Sequence, residues 1–177
     1  MEKKQFLGQI LVFTGCGKGK TTAALGHIVR SLGHNYQIAL IQFMKGSELY
    51  GEVKILQNLP NVLVEQYGLA SFVHSKTPSK LDRDLAQRGV ARVHDLFKQN
   101  KYDLIVLDEI NVAYSFSLIT LQEFKEVVLN KPQNCNLILT GRDFPSSLAG
   151  LVDLISEVKE IKHPYQLGRE AQAGVEF

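Results

Sequence analysis

The stretch Thr14-Gly15-Cys16-Gly17-Lys18-Gly19-Lys20-Thr21-Thr22 lies between an apolar run of strand length, Ile10 to Phe13, and a helix-like run that opens with Ala23-Ala24-Leu25. Strand, glycine-rich turn with Lys-Thr, then helix is the layout of a phosphate-binding loop. Glycines let the backbone turn tightly and aim successive N–H groups at one anion. A helix N-terminus adds unpaired N–H groups and the positive end of its dipole. Lys20 supplies a point charge for phosphate oxygens, and the Thr21 hydroxyl reaches toward Mg²⁺. The pattern implies a nucleoside triphosphate. It departs from GxxxxGK[ST], because Thr14 stands where the first glycine belongs and three alternating glycines and a second lysine, Lys18, follow.

Downstream, strand-length apolar runs alternate with amphipathic segments of helix length. The pattern predicts helices over about 20–32, 48–59, 79–97 and 120–129, and a short one over 146–151. Strands are expected over 37–43, 62–66, 104–107, 136–140 and 154–158, after the first at 10–13. Residues 67–78 show no period and imply a long loop. Ser79 is expected to cap the third helix, whose apolar stripe is Leu81, Leu85, Ala86, Val90, Val93, Leu96 and Phe97. The expected fold class is α/β, a mostly parallel sheet with helices on both faces, in one domain spanning 1–177. Ligands of such sheets bind at the carboxyl ends of strands.

Two more features fall at that edge. Leu104 to Leu107 ends in Asp108-Glu109, the pattern of a strand that presents a carboxylate to a metal opposite a phosphate loop. Side-chain alternation sends the two acids to different sides, so one of them faces the metal. Thr140-Gly141-Arg142 follows the fifth strand, where Arg142 meets either solvent or a phosphate or ribose.

Composition excludes several classes. With 20 basic and 18 acidic residues the net charge is +2, too even for the basic face of a nucleic-acid binder. Cys16 and Cys135 form no CxxC pair, and the five histidines show no metal-ligand spacing. Cys16, near a helix N-terminus, is expected to react with alkylating agents and to be protected by MgATP. No apolar run approaches the roughly 20 residues of a membrane span. No signal peptide is evident, and a reducing cytoplasm is the expected compartment.

The chain resembles the ATP:cob(I)alamin (corrinoid) adenosyltransferases of the RecA-like P-loop type. Residues 14–24 carry the resemblance, with Gln42-Phe43-Met44-Lys45-Gly46, Gly51-Glu52, Val106-Leu107-Asp108-Glu109, Thr140-Gly141-Arg142, Lys162-His163 and the segment 171–177. It implies a RecA-like fold and transfer of the 5′-deoxyadenosyl group of ATP to the Co(I) of a corrinoid, with release of triphosphate. It also implies that Thr14, Gly15, Cys16, Gly17, Lys18, Gly19, Lys20, Thr21, Thr22 and Arg142 hold ATP, that Thr21 and Glu109 hold Mg²⁺, and that Lys20 and Glu109 serve catalysis. A homodimer and a reductase that delivers Co(I) are implied partners, and residues 168–177 close over the site or support the dimer. Where relatives carry a Phe-Thr-Trp segment that helps remove the corrinoid's lower ligand, this chain has Tyr67 to Val73 and no Trp. Tyr67 and Phe72 are the candidate substitutes. Two other functions share the scaffold: an ATPase or regulatory switch, and a corrinoid or nucleotide carrier without turnover.

Overall fold

Six apolar runs form a single parallel sheet in a computed structural model that describes residues 7–47, 50–69, 78–168 and 170–175. Its strands are β1 Ile10–Thr14, β2 Ile38–Phe43, β3 Val62–Tyr67, β4 Leu104–Asp108, β5 Asn136–Thr140 and β6 Leu154–Glu157. The order across the sheet is β3-β2-β4-β5-β1-β6, with every pairing parallel. Parallel strands need crossovers, and these are the helices α1 Lys20–Leu32, α2 Gly51–Leu56, α3 Lys80–Gln99, α4 Ile110–Ser115 and α5 Leu121–Leu129.

Alternation along the strands sorts the core into two layers. Ile38, Leu40, Leu104, Val106 and Ile138 pack with Ala24 and Ile28 of α1. Their neighbours Ala39, Ile41, Ile105, Leu107, Leu137 and Leu139 pack with Val90 and Val93 of α3 and with Phe124 and Val127 of α5. Both faces are covered, so the central strands are apolar throughout rather than alternating. This is the α/β class expected from the sequence, and it is consistent with a RecA-like P-loop domain.

The order has one consequence for chemistry. β5 lies between β1, which carries the glycine loop, and β4, which ends in Asp108. The carboxyl ends of β1, β2, β4 and β5 therefore converge on one edge, at Thr14, Phe43, Asp108 and Thr140.

Some local expectations need correction. The second helix is shorter than 48–59: after Leu56 the chain tightens into i→i−3 bonds, Asn58 N to Ile55 O and Leu59 N to Leu56 O, and then meets Pro60. Residues 48–49 lie outside the described residues. Leu81 is not in the core stripe but 52% exposed in the first turn of α3. The short helix expected over 146–151 is present with those bounds as a 3₁₀ helix, and a second 3₁₀ turn, Pro164–Leu167, was not expected. Helix α4 was also missed, because six residues straight after a strand show no measurable period.

Ser79 does cap α3. Its hydroxyl accepts from Asp82 N–H at 3.1 Å while the Asp82 carboxylate accepts from Ser79 N–H at 2.8 Å. Ser79→Ala is expected to cost about 1 kcal/mol. Thermal unfolding should show this as a fall in Tm of about 2–4 °C.

Candidate active site

The glycine loop is shaped by backbone that other residues resist. Gly15 and Gly19 have φ of 97° and 116°, in the region that favours glycine. A Cβ on Gly15 would also come within 2.5 Å of the Val158 carbonyl oxygen. That close approach exists because the loop is tied to the chain after β6: Gly17 N–H donates to Val158 O and Val158 N–H donates to Thr14 O, each at 2.8 Å. Gly19 is the N-cap of α1 and offers no side-chain acceptor, and the first turn has no acid. The first N–H groups of this thirteen-residue helix therefore point to the loop without a capping side chain. Lys20 lies beneath, 8% exposed, with its ammonium donating to Gly17 O at 2.7 Å. Burial lowers its pKa, while Glu109 opposes the shift.

Across β5 from this loop, Asp108 is fully buried and saturated with donors. Its Oδ1 accepts from Thr21 Oγ1 at 2.8 Å and Thr140 Oγ1 at 2.7 Å. Its Oδ2 accepts from Gln42 Nε2 at 3.1 Å and Lys45 Nζ at 2.7 Å. A carboxylate offers about four acceptor sites, and these four donors fill them. Burial pushes the Asp108 carboxyl up, but the Lys45 charge and the bonds from Lys45, Thr140 and Thr21 outweigh it and hold the group below the usual range. Thr21 gives its one hydroxyl proton to Asp108, so the lone pairs of Thr21 Oγ1 remain for an electrophile.

Glu109 turns the corner into α4 with φ of 62°, its N–H held by Thr140 Oγ1 at 3.0 Å. Its carboxyl behaves oppositely to Asp108. Burial, then the Asp108 charge, push it above the ordinary range, against Lys45, Lys20 and Arg142. Glu109, Lys18 and Lys20 line both of two cavities that flank the loop. One, of about 500 Å³, is completed by Thr21, Lys45, Tyr50, Glu52, Gly174 and Val175. The other, of about 600 Å³, is completed by Cys16, Phe116, Arg142, Asp143, Glu160 and His163. The C-terminal segment reaches the loop directly, because Lys18 Nζ donates to Val175 O at 3.1 Å.

The donor set fits a hard divalent cation. Thr21 Oγ1 and the Glu109 carboxyl offer hard oxygen atoms to the cavity beside the glycine loop. Among the described residues no group of three or more His, Cys, Asp or Glu could hold a metal. A site with one or two protein oxygens, completed by phosphate and water, is the usual Mg²⁺ arrangement.

Residues 7–177 match the model of the family described as ATP:corrinoid adenosyltransferase BtuR/CobO/CobP. The chain belongs to this family. A corrinoid adenosyltransferase of Sinorhizobium sp. is 33% identical over 172 residues, covering 96% of this chain and 80% of that protein. One from Escherichia coli K12 is 29% identical over 170 residues, covering 96% and 86%. CobA of Salmonella typhimurium is 30% identical over the same length and the same shares.

Of the residues proposed from the sequence, Lys18, Gly19, Lys20, Thr21, Thr22 and Glu109 meet at the first cavity, and Cys16, Gly17 and Arg142 join Lys18, Lys20 and Glu109 at the second. Gly15 and Thr14 shape the loop from behind, Thr14 Oγ1 accepting from Phe144 N–H at 3.3 Å. Tyr67 is elsewhere. Its ring packs against the α3 core beside Gly89, and its hydroxyl donates to Glu65 at 2.8 Å, on a carboxylate that Arg92 grips with two nitrogens. Burial and this bond push the phenol up to about 12. Phe72 lies outside the described residues. The sequence reading missed Gln42, Lys45 and Thr140 as members of the site. The signal was their position at strand ends on the carboxyl edge.

A carboxyl whose folded-state pKa is raised contributes stability below its unfolded value and loses it as pH rises through the folded value. For Glu109 that window begins at the ordinary 4.5 and extends upward. Glu109→Gln is expected to flatten this part of the stability profile. At neutral pH it should stabilise the ligand-free protein by about 1 kcal/mol. Urea unfolding from pH 4 to 8 checks both.

Proposed function

We infer that the chain carries out the reaction of its family, transfer of the 5′-deoxyadenosyl group of ATP to the Co(I) of a corrinoid within cobalamin synthesis. The observation that carries this reading is the family match across residues 7–177, which includes the glycine loop and the Asp108–Glu109 corner. In the reaction the cobalt electron pair forms a bond to the ribose 5′ carbon. The carbon–oxygen bond breaks, and its electrons leave on triphosphate. No proton transfer is needed at the reacting carbon, so the protein's work is alignment and charge stabilisation.

The residues divide that work. The N–H groups of the loop and of the first turn of α1 cradle the triphosphate, and Lys18 and Lys20 add charge where negative charge grows on the leaving group. Lys20 turns from Gly17 O to phosphate oxygen. Thr21 and Glu109 would hold Mg²⁺, which would neutralise part of the triphosphate charge. Asp108 holds Thr21 in place from outside the metal shell. Arg142 faces the second cavity as a further cation for phosphate or ribose. Gly174 and Val175 cover the first cavity. A homodimer and a reductase that supplies Co(I) complete the proposal.

The raised Glu109 carboxyl beside the loop also suits a base that activates water, which favours an ATPase as the second reading. An anaerobic assay with chemically reduced cobalamin and MgATP separates the two. Adenosylcobalamin with an equal amount of triphosphate is expected. ADP and phosphate with an unchanged corrin spectrum would overturn the transferase reading. Lys20→Ala should lower kcat/KM by about 10²–10³-fold, the loss typical of a preorganised charge-stabilising group.

A further inference from the structure

Lys20 approaches the Asp108–Glu109 corner from the glycine loop and Lys45 from the turn after β2. The triphosphate accounts for Lys20. Lys45 is aimed at Asp108 instead, its Nζ 2.7 Å from Oδ2, with the side chain 15% exposed and the carboxylate at 0%. The ammonium also lies 5.0 Å from the centre of the Tyr50 ring, a second contact suited to a fixed cation.

The turn that presents Lys45 is built. Met44 has a left-handed backbone with φ of 58°, and its N–H donates to Tyr67 O at 3.0 Å. A Cβ on Gly46 would collide with the backbone of Gly68, and one on Gly68 with the backbone of Met44 and Lys45. The other donor to Oδ2 is fixed as well. Gln42 gives its amide N–H to Asp108 while its Oε1 accepts from Gln66 Nε2 at 2.9 Å, so the amide cannot turn over without losing both bonds.

Without Lys45 the corner would present Asp108, Glu109 and the Thr21 oxygen together, a hard oxygen set that could attract a divalent cation by itself. A metal bound to Asp108 would compete with the Thr21 hydroxyl for the carboxylate and disturb the start of α1. We propose that Lys45 is a positioning residue that stands in for a cation on Asp108, so that a divalent ion enters the site only together with the triphosphate. The inference rests on the reading above in which Thr21 and Glu109 hold the metal. It gives a task to the Gln42–Gly46 segment that triphosphate binding alone leaves unexplained.

Mn²⁺ is the probe, followed by enhancement of water-proton relaxation, which senses an ion held on the slowly tumbling protein. The wild type is expected to hold Mn²⁺ with ATP present and barely without it. Lys45→Met should hold Mn²⁺ without nucleotide at least about tenfold more tightly than the wild type, since one unit charge a few ångströms from the ion is gone. Lys45→Arg keeps the charge and should behave as the wild type. Adding Asp108→Asn to Lys45→Met should abolish the nucleotide-free binding. If Lys45→Met does not fold, Lys45→Gln, which keeps an N–H donor for Asp108, carries the same comparison. Nucleotide-free Mn²⁺ binding by the neutral variants no tighter than by the wild type overturns the proposal, and so does tight nucleotide-free binding by the wild type itself. A wild type that holds no Mn²⁺ even with ATP overturns the metal reading, and this inference with it.

Discussion

A buried carboxylate is costly unless every lone pair is used, and Asp108 meets that condition with donors from four parts of the fold: Thr21 of α1, Gln42 of β2, Lys45 of the following turn and Thr140 of β5. Each donor must arrive at the right place for the charge to stay buried. The cluster therefore locks the first turn of α1 to two strands and one turn. Removing one partner would leave part of a charge unpaired in a dry interior, which is far more damaging than losing a surface pair. Order in the glycine loop depends on this anchor, because Thr21 follows Lys20 directly.

The sheet order makes the anchor compatible with a ligand. With β5 between them, β1 and β4 are two strand spacings apart, roughly 10 Å. That gap separates the glycine loop from the Asp108–Glu109 corner. Asp108 and Glu109 then diverge by environment. One is saturated with donors and held below the usual carboxylate range, and the other is pushed above it by burial and by its neighbour's charge. Two neighbouring acids acquire different chemistry with no change of residue type.

How much of this could be read in advance follows the range of each interaction. The helix from Lys20 to Leu32 and the strand from Asn136 to Thr140 were legible to the residue, because caps, glycines and apolar runs are local signals. Ser79 was legible for the same reason, since its partner Asp82 is one turn away. Helix α4 was too short to carry a period. Leu81 fitted the stripe in sequence but lies in the exposed first turn of α3. The glycine loop and Glu109 were visible as motifs. The Asp108 cluster was not, since Gln42 and Thr140 are 66 and 32 residues from Asp108 in the chain and meet it only through the strand order. Tyr67 shows what a sequence does not reveal about an aromatic beside an aperiodic stretch: its hydroxyl is bonded to Glu65 and its ring packs beside Gly89.

The hydrogen bond from Lys18 to Val175 O has a practical side. The backbone near the carboxyl end of this chain runs along the rim of the cavity that holds Thr21 and Glu109. Gly174 and Val175 line that cavity themselves. A bulky group placed on them would crowd the cavity. The same geometry offers a reporter, since a fluorophore attached near residue 175 would sit at the rim of that cavity and sense what enters it, provided the bond to Lys18 is kept.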